Sequence, residues 1–194
     1  MSNVQGWQVK LDEETAAMMR QKYIAFDTET TGLDLRTDRI IELGAVIFEQ
    51  GKPTCSFSSL INAGMYVRPS SQTVNHISNE ELKKAPHESE VYPAFLEFLG
   101  EAADGEILLC AHNAKFDFSF LTRALERCSM KATFYYIDTL SLSRELLDMP
   151  DYKQQTIAEN LGFINEEAHR ACSDAKVCGQ IMWKLLECYS NREY

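Results

Sequence analysis

A mixed α/β fold, one five-stranded sheet with flanking helices, is the expectation for this 194-residue chain. Three β-prone runs come first, strand-like and helix-like runs then alternate, and a tight-turn signature joins the second run to the third. The strand-like runs are residues 23–27, 40–48, 54–61, 107–111 and 133–137. Glu49-Gln50-Gly51-Lys52 between the second and third reads as a hairpin, so the sheet mixes an antiparallel part with strands that alternate with helices.

Helical patterns fill the spaces between the later strands. Ser78 with Glu81 forms a capping box at a helix start. Val91, Phe95, Phe98 and Leu99 then make one apolar face, closed by Gly100. Further helices are expected over 114–128, 140–147, 154–161 and 171–189. No internal repeat, low-complexity tract or Pro/Gly/Ser linker interrupts the chain. Residues 23–194 therefore read as one domain, preceded by a lead segment, 1–22, for which a partly helical state is an option.

Composition narrows the class. The chain is 45% apolar, ordinary for a protein with a packed core. No stretch approaches the roughly 18 consecutive apolar residues that span a bilayer, and the polar N-terminus lacks a signal-peptide pattern, which points to the cytoplasm. Cys55, Cys110, Cys128, Cys172, Cys178 and Cys188 form no Cys-x-x-Cys pair and read as reduced core residues, in preference to a zinc site or disulfide framework. The formal net charge of −10 argues against long-tract duplex binding and favours a grip on a short chain end.

The chemistry-bearing residues fall in three segments. Tyr23-Ile24-Ala25-Phe26-Asp27-Thr28-Glu29 is an apolar strand running into the Thr30-Thr31-Gly32 turn. Asp27 and Glu29 are two residues apart and share a face, where like charges repel and a hard divalent cation stabilises them. Two acids on a solvated strand end would give the same local pattern. Asp117 shares its helical face with Phe120, Leu121, Ala124 and Cys128. A carboxylate on such a stripe either holds a metal or marks an exposed first turn that suits the helix dipole. Asp174 heads a second stripe with Val177, Cys178, Ile181 and Leu185, and His169 sits just before it. Alone, His169 would be a surface or capping residue; beside clustered acids it becomes a catalytic candidate.

The segments Asp27-Thr28-Glu29-Thr30-Thr31-Gly32, His112-Asn113-Ala114-Lys115-Phe116-Asp117 and His169-Arg170-Ala171-Cys172-Ser173-Asp174 resemble, in order, the three exonuclease motifs of the DEDDh 3′–5′ exonucleases. Residues 39–45, His76-Ile77-Ser78 and Asp138-Thr139-Leu140 resemble secondary family features. The wording of the first two motifs is similar to epsilon proofreading subunits of bacterial replicative polymerases and their stand-alone relatives. The resemblance implies an RNase H-like fold and hydrolysis of single-stranded DNA from the 3′ end to nucleoside 5′-monophosphates, as in proofreading. It implies two divalent ions, Mg²⁺ or Mn²⁺, held by Asp27, Glu29, Asp117 and Asp174, with His169 as general base. It also implies partners: single-stranded 3′ ends, DNA ahead of RNA, and a DNA polymerase. Thr30, Thr31, Gly32 and Leu33 are expected at the terminal nucleotide, the first three through backbone N–H groups. His76, His112, Asn113 and Phe116 resemble positions that line the substrate groove. An RNA-trimming exoribonuclease and a polymerase-associated structural subunit are the alternatives. Arg123, Arg127 and Lys131 lie along or just beyond one helix, where tracking phosphates is one reading, and are read in preference as ordinary solvated surface.

Overall fold

The computed structural model describes residues 3–165 and 167–192. Its centre is β2 (Lys22–Thr30), whose side chains alternate between two layers of helices. Ile24 and Phe26 enter one core, with α4 (Glu88–Leu99) and α5 (Ala114–Arg127). Tyr23 and Ala25 enter the other, with α1 (Glu13–Gln21), α7 (Gln154–Asn160) and α8 (Ala171–Ser190). Burial on both faces explains why this run is almost continuously apolar before its two acids.

On one side β2 pairs antiparallel with β3 (Ile40–Glu49), which pairs antiparallel with β4 (Lys52–Leu60). The expected hairpin is present, with Gln50 and Gly51 at φ 51° and 75°, the left-handed pair that a two-residue turn requires. On the other side β2 pairs in parallel with β5 (Leu109–Ala111), and β5 pairs in parallel with β6 (Ala132–Asp138). Helices α3 (Asn79–Lys84) and α6 (Thr139–Leu146) complete the expected set, α3 with the Ser78–Glu81 capping box. A short α2 (Pro69–Asn75) was not anticipated.

The strand count is a correction. Six strands form the sheet, in the order β1-β6-β5-β2-β3-β4, because β1 (Val4–Gln8) of the lead pairs in parallel with β6. In β1 only Val4 is buried, and Gly6 sits at its centre, so local sequence carries no alternation to betray it. The same lead supplies α1, whose Ala16 and Met19 enter the core. All six cysteines are free, and Cys55 is exposed on the edge strand β4 instead of lying in the core. Among the described residues no helix is long and apolar enough to cross a membrane.

One glycine sets how closely α8 meets the sheet. Gly44 lies opposite Asp27 in the β2–β3 register, and a Cβ there would fall 2.1 Å from the backbone of Ala171 and Cys172. The start of α8 therefore rests directly on β3, one strand away from Asp27. Gly44→Ala should force backbone apart and destabilise the fold by about 1–3 kcal/mol, read as a lowered urea midpoint. An unchanged midpoint would show that α8 shifts without cost.

Candidate active site

The end of β2 gathers acids from three elements. Asp27 and Glu29 lie on the α8 side of the strand, both half-buried. Between them Thr28 faces α5, and its N–H and Oγ1 donate to Asp117 Oδ1 at 3.1 and 2.7 Å. Asp117 is only 3% exposed, in the first turn of α5. The exposed-first-turn reading of Asp117 is thereby ruled out. Asp174, in the first turn of α8, accepts hydrogen bonds from Asn165 Nδ2 and from the His169 N–H, the latter at 3.0 Å. One ligand atom each of Glu29, His169 and Asp174 lies within 4.8 Å of the others.

Burial and mutual repulsion push these acids above the usual carboxylate range. Glu29 rises to about 8, through burial first and then the charge of Asp174. Asp117 rises to about 7 through burial, although the Thr28 hydrogen bonds oppose the shift. Asp27 is raised well above its ordinary value by burial and by Asp117, Asp174 and Glu29 together. Asp174 is raised too, mainly by burial. Neither the Asp27 nor the Glu29 side chain has a hydrogen bond or ion pair among the described residues. Desolvated, mutually repelling oxygens with one histidine beside them fit a hard divalent cation, which supplies the missing counter-charge.

Two carboxylates that the sequence placed only in secondary motif segments hold the acids in place. Glu42, 1% exposed on β3, accepts hydrogen bonds from Arg170 Nη2 at 2.7 Å, Arg170 Nε at 3.0 Å and the Ala171 N–H at 3.0 Å. It thereby fixes the start of α8 beside His169 and Asp174, as a carboxylate at a helix N-terminus does. Asp138 does the same for two helices, its Oδ1 accepting from the N–H groups of Asn113, Ala114 and Leu140. Asn113 and His169 both have left-handed backbone, at φ 65° and 64°, so the chain turns sharply into α5 and before α8.

Two depressions flank the acids. One of about 320 Å³ is lined by Asp27, His112, Lys153, Asn165, His169 and Asp174. His112 is committed internally: Nε2 donates to the Tyr152 carbonyl at 2.9 Å and Nδ1 lies 3.0 Å from Thr139 Oγ1. Burial holds its pKa down. The other depression, about 610 Å³, has Glu29, Thr30, Gly32, Leu33, Val74 and Phe116 in its wall. Leu33 is 83% exposed on its rim. Gly32 and Leu33 have N–H groups without a partner among the described residues, whereas the Thr31 N–H donates to the Arg39 carbonyl at 2.9 Å. Thr31 instead supports the turn, its Oγ1 donating to Asp38 at 2.9 Å. His76 closes α2 outside this wall, where Asn75 is found.

Residues 24–182 match the RNase T family, whose description is Exonuclease. The chain belongs to that exonuclease family. It is 37% identical over 175 residues to the DNA polymerase III PolC-type protein of Caldanaerobacter subterraneus subsp. tengcongensis, a match covering 90% of this chain and 12% of that protein. It is 34% identical over 168 residues to DNA polymerase III subunit epsilon of Treponema pallidum, covering 84% and 76% of the two chains. The chain thus spans a small part of the PolC-type relatives and most of the epsilon one. Among solved structures it resembles exonuclease X in complex with 5′ overhanging duplex DNA, with TM-score 0.67 and 20% identity over 88% of this chain and 94% of that one. E. coli exonuclease I with a dT13 oligonucleotide gives TM-score 0.73 at 12% identity, over 85% and 41%. These neighbours establish the fold as RNase H-like.

The raised carboxylates set a pH dependence. Between about pH 4.5 and 8 the folded, metal-free protein holds protons that the unfolded chain has released, so this contribution to stability is lost as pH rises through about 7 to 8. With chelator present, the thermal midpoint should fall from pH 5.5 to 8.5, and Mg²⁺ or Mn²⁺ should recover most of the loss at pH 8.5. A chelated protein most stable at pH 8.5 would contradict the assignment.

Proposed function

We propose that this chain is a divalent-metal-dependent 3′–5′ exonuclease that removes nucleoside 5′-monophosphates from single-stranded DNA ends and serves proofreading beside a DNA polymerase. The observation that carries the reading is the convergence of Asp27, Glu29, Asp117 and Asp174 with His169 at one strand end. Asp27 would be shared by two ions, Glu29 and Asp174 completing one site and Asp117 the other. Bound there, the ions would lower the pKa of water and offset charge developing on the phosphate. His169 is exposed beside Glu29 and Asp174, free of internal side-chain hydrogen bonds, and takes the proton from the attacking water. The Asp174 carboxylate orients it through the backbone N–H.

The larger depression suits a chain end. Leu33, Val74 and Phe116 offer apolar surface to the terminal base, and the Gly32 and Leu33 N–H groups offer donors to its sugar and phosphate. DNA is preferred over RNA because the relatives are named as DNA polymerase III components and the structural neighbours carry DNA.

Timed digestion of 3′- and 5′-labelled single strands, DNA and RNA, tests the reading. The 3′ label should leave first as a mononucleotide, DNA should be cut faster, and chelator should stop both. His169→Ala should lower kcat by roughly 10²–10⁴-fold with little change in metal affinity. Asp27→Asn should abolish turnover while the protein stays folded. Matched loss of metal affinity in His169→Ala would make the histidine a ligand, and early release of the 5′ label would end the directional assignment.

A further inference from the structure

Beyond the site, four arginines converge on one concavity of about 460 Å³, lined by Leu35, Arg36, Arg39, Arg123, Glu126 and Arg127. The chain carries 19 basic and 29 acidic residues, so four cations against one acid is a sharp local reversal of its charge. Arg36 and Arg123 are exposed and make no ion pair among the described residues. Arg39 rests on backbone oxygens, with Nη1 donating to the Asp38 carbonyl at 2.9 Å. Arg127 is paired with Glu88 at 2.7 Å.

The groove continues from the depression beside the acids by two routes. Leu33 and Asp34 stand in the wall of that depression, and Leu35 and Arg36 follow directly in the groove. Along α5, Phe116 in the same wall is seven residues before Arg123 and eleven before Arg127. At about 100° per residue these positions fall within about 20° of one line, roughly 10 and 16 Å along the helix. A stacked strand carries one phosphate per about 3.4 Å, so the run matches about three to five phosphates. Guanidinium groups bind phosphate oxygens in pairs and stay charged at any working pH.

We propose that this arginine groove binds backbone phosphates of the nucleic-acid strand, about three to five nucleotides before the 3′ end. The proposal rests on the exonuclease reading above for the direction of the strand. It changes the expectation drawn from net charge: the overall acidity hides one basic track, and grip extends past the terminal residues.

The test compares Arg36→Ala/Arg123→Ala with the unsubstituted protein on a dinucleotide and a ten-nucleotide DNA strand, from 50 to 200 mM salt with Mg²⁺. The double variant should raise KM for the longer strand by roughly three- to thirtyfold, the range of two exposed ion pairs, and leave kcat unchanged. Its salt slope should be shallower by about 1.4, at about 0.7 per lost contact. Dinucleotide turnover should not change, and Arg36→Lys/Arg123→Lys should restore much of the slope. Equal losses on both substrates, or none on either, would overturn the groove; the latter leaves an acidic protein surface as its occupant. If the unsubstituted protein cuts neither substrate, the exonuclease reading falls. Fluorescence anisotropy of the ten-nucleotide strand then decides the groove by itself: a shallower slope in the double variant supports it, and identical binding refutes it.

Discussion

Repulsion among four carboxylates at the end of one central strand is the constraint that organises this molecule. Among the described residues Asp27 and Glu29 have no ion pair, Arg170 offsets the Glu29 charge only weakly, and burial makes each charge costlier to hold. The cluster persists because its members belong to separate rigid elements, each fixed from elsewhere. Asp27 and Glu29 are locked by the ladder to β3, Asp117 by Thr28, and Asp174 by the loop carrying Asn165 and His169. Glu42 and Asp138 sit one layer out and tie helix starts to the sheet. Folding energy thus keeps like charges closer than solution would allow, and a cation bound among them would relieve that repulsion.

The parts of this arrangement that were legible in the sequence are those with a local signature. Asp27 and Glu29 share a face because strands have a period of two, and Asp117 and Asp174 interrupt apolar stripes of period 3.6. The supports are harder to read. Glu42 interrupts the apolar run of residues 40–48, but its partner Arg170 lies 128 positions away, so only the fold shows what it holds. Gly44 lay within a recognised segment, yet the close approach of α8 that needs it is visible only in three dimensions. His112 reads as a groove residue and does line the depression beside the acids, but the fold adds what sequence could not show: its ring nitrogens join Thr139 to Tyr152. Likewise Arg36 and Arg123 each look like ordinary surface until the fold sets them side by side.

Charge is distributed with a division of labour. The acidic total keeps the molecule from clinging to nucleic acid at random, because nonspecific attraction scales with phosphate neutralisation. Positive charge appears where a strand entering the site would pass, and cations in the carboxylate cluster would complete the attraction at its end. On the proposed function, binding would then depend on a free terminus reaching the acids, which suits an enzyme that removes single residues.

The parallel pairing of β1 with β6 bears on how the protein can be cut. The family match begins at residue 24, after both β1 and α1. A fragment trimmed to that boundary would strip Val4, Ala16 and Met19 from the two cores and leave β6 as a naked sheet margin, with the aromatic Tyr135 beside it. Unpaired margins of this kind recruit strands from other molecules, so the shortened piece would be prone to self-association. Residues 4–21 thus act as a selvedge, finishing this margin of the sheet within its own chain.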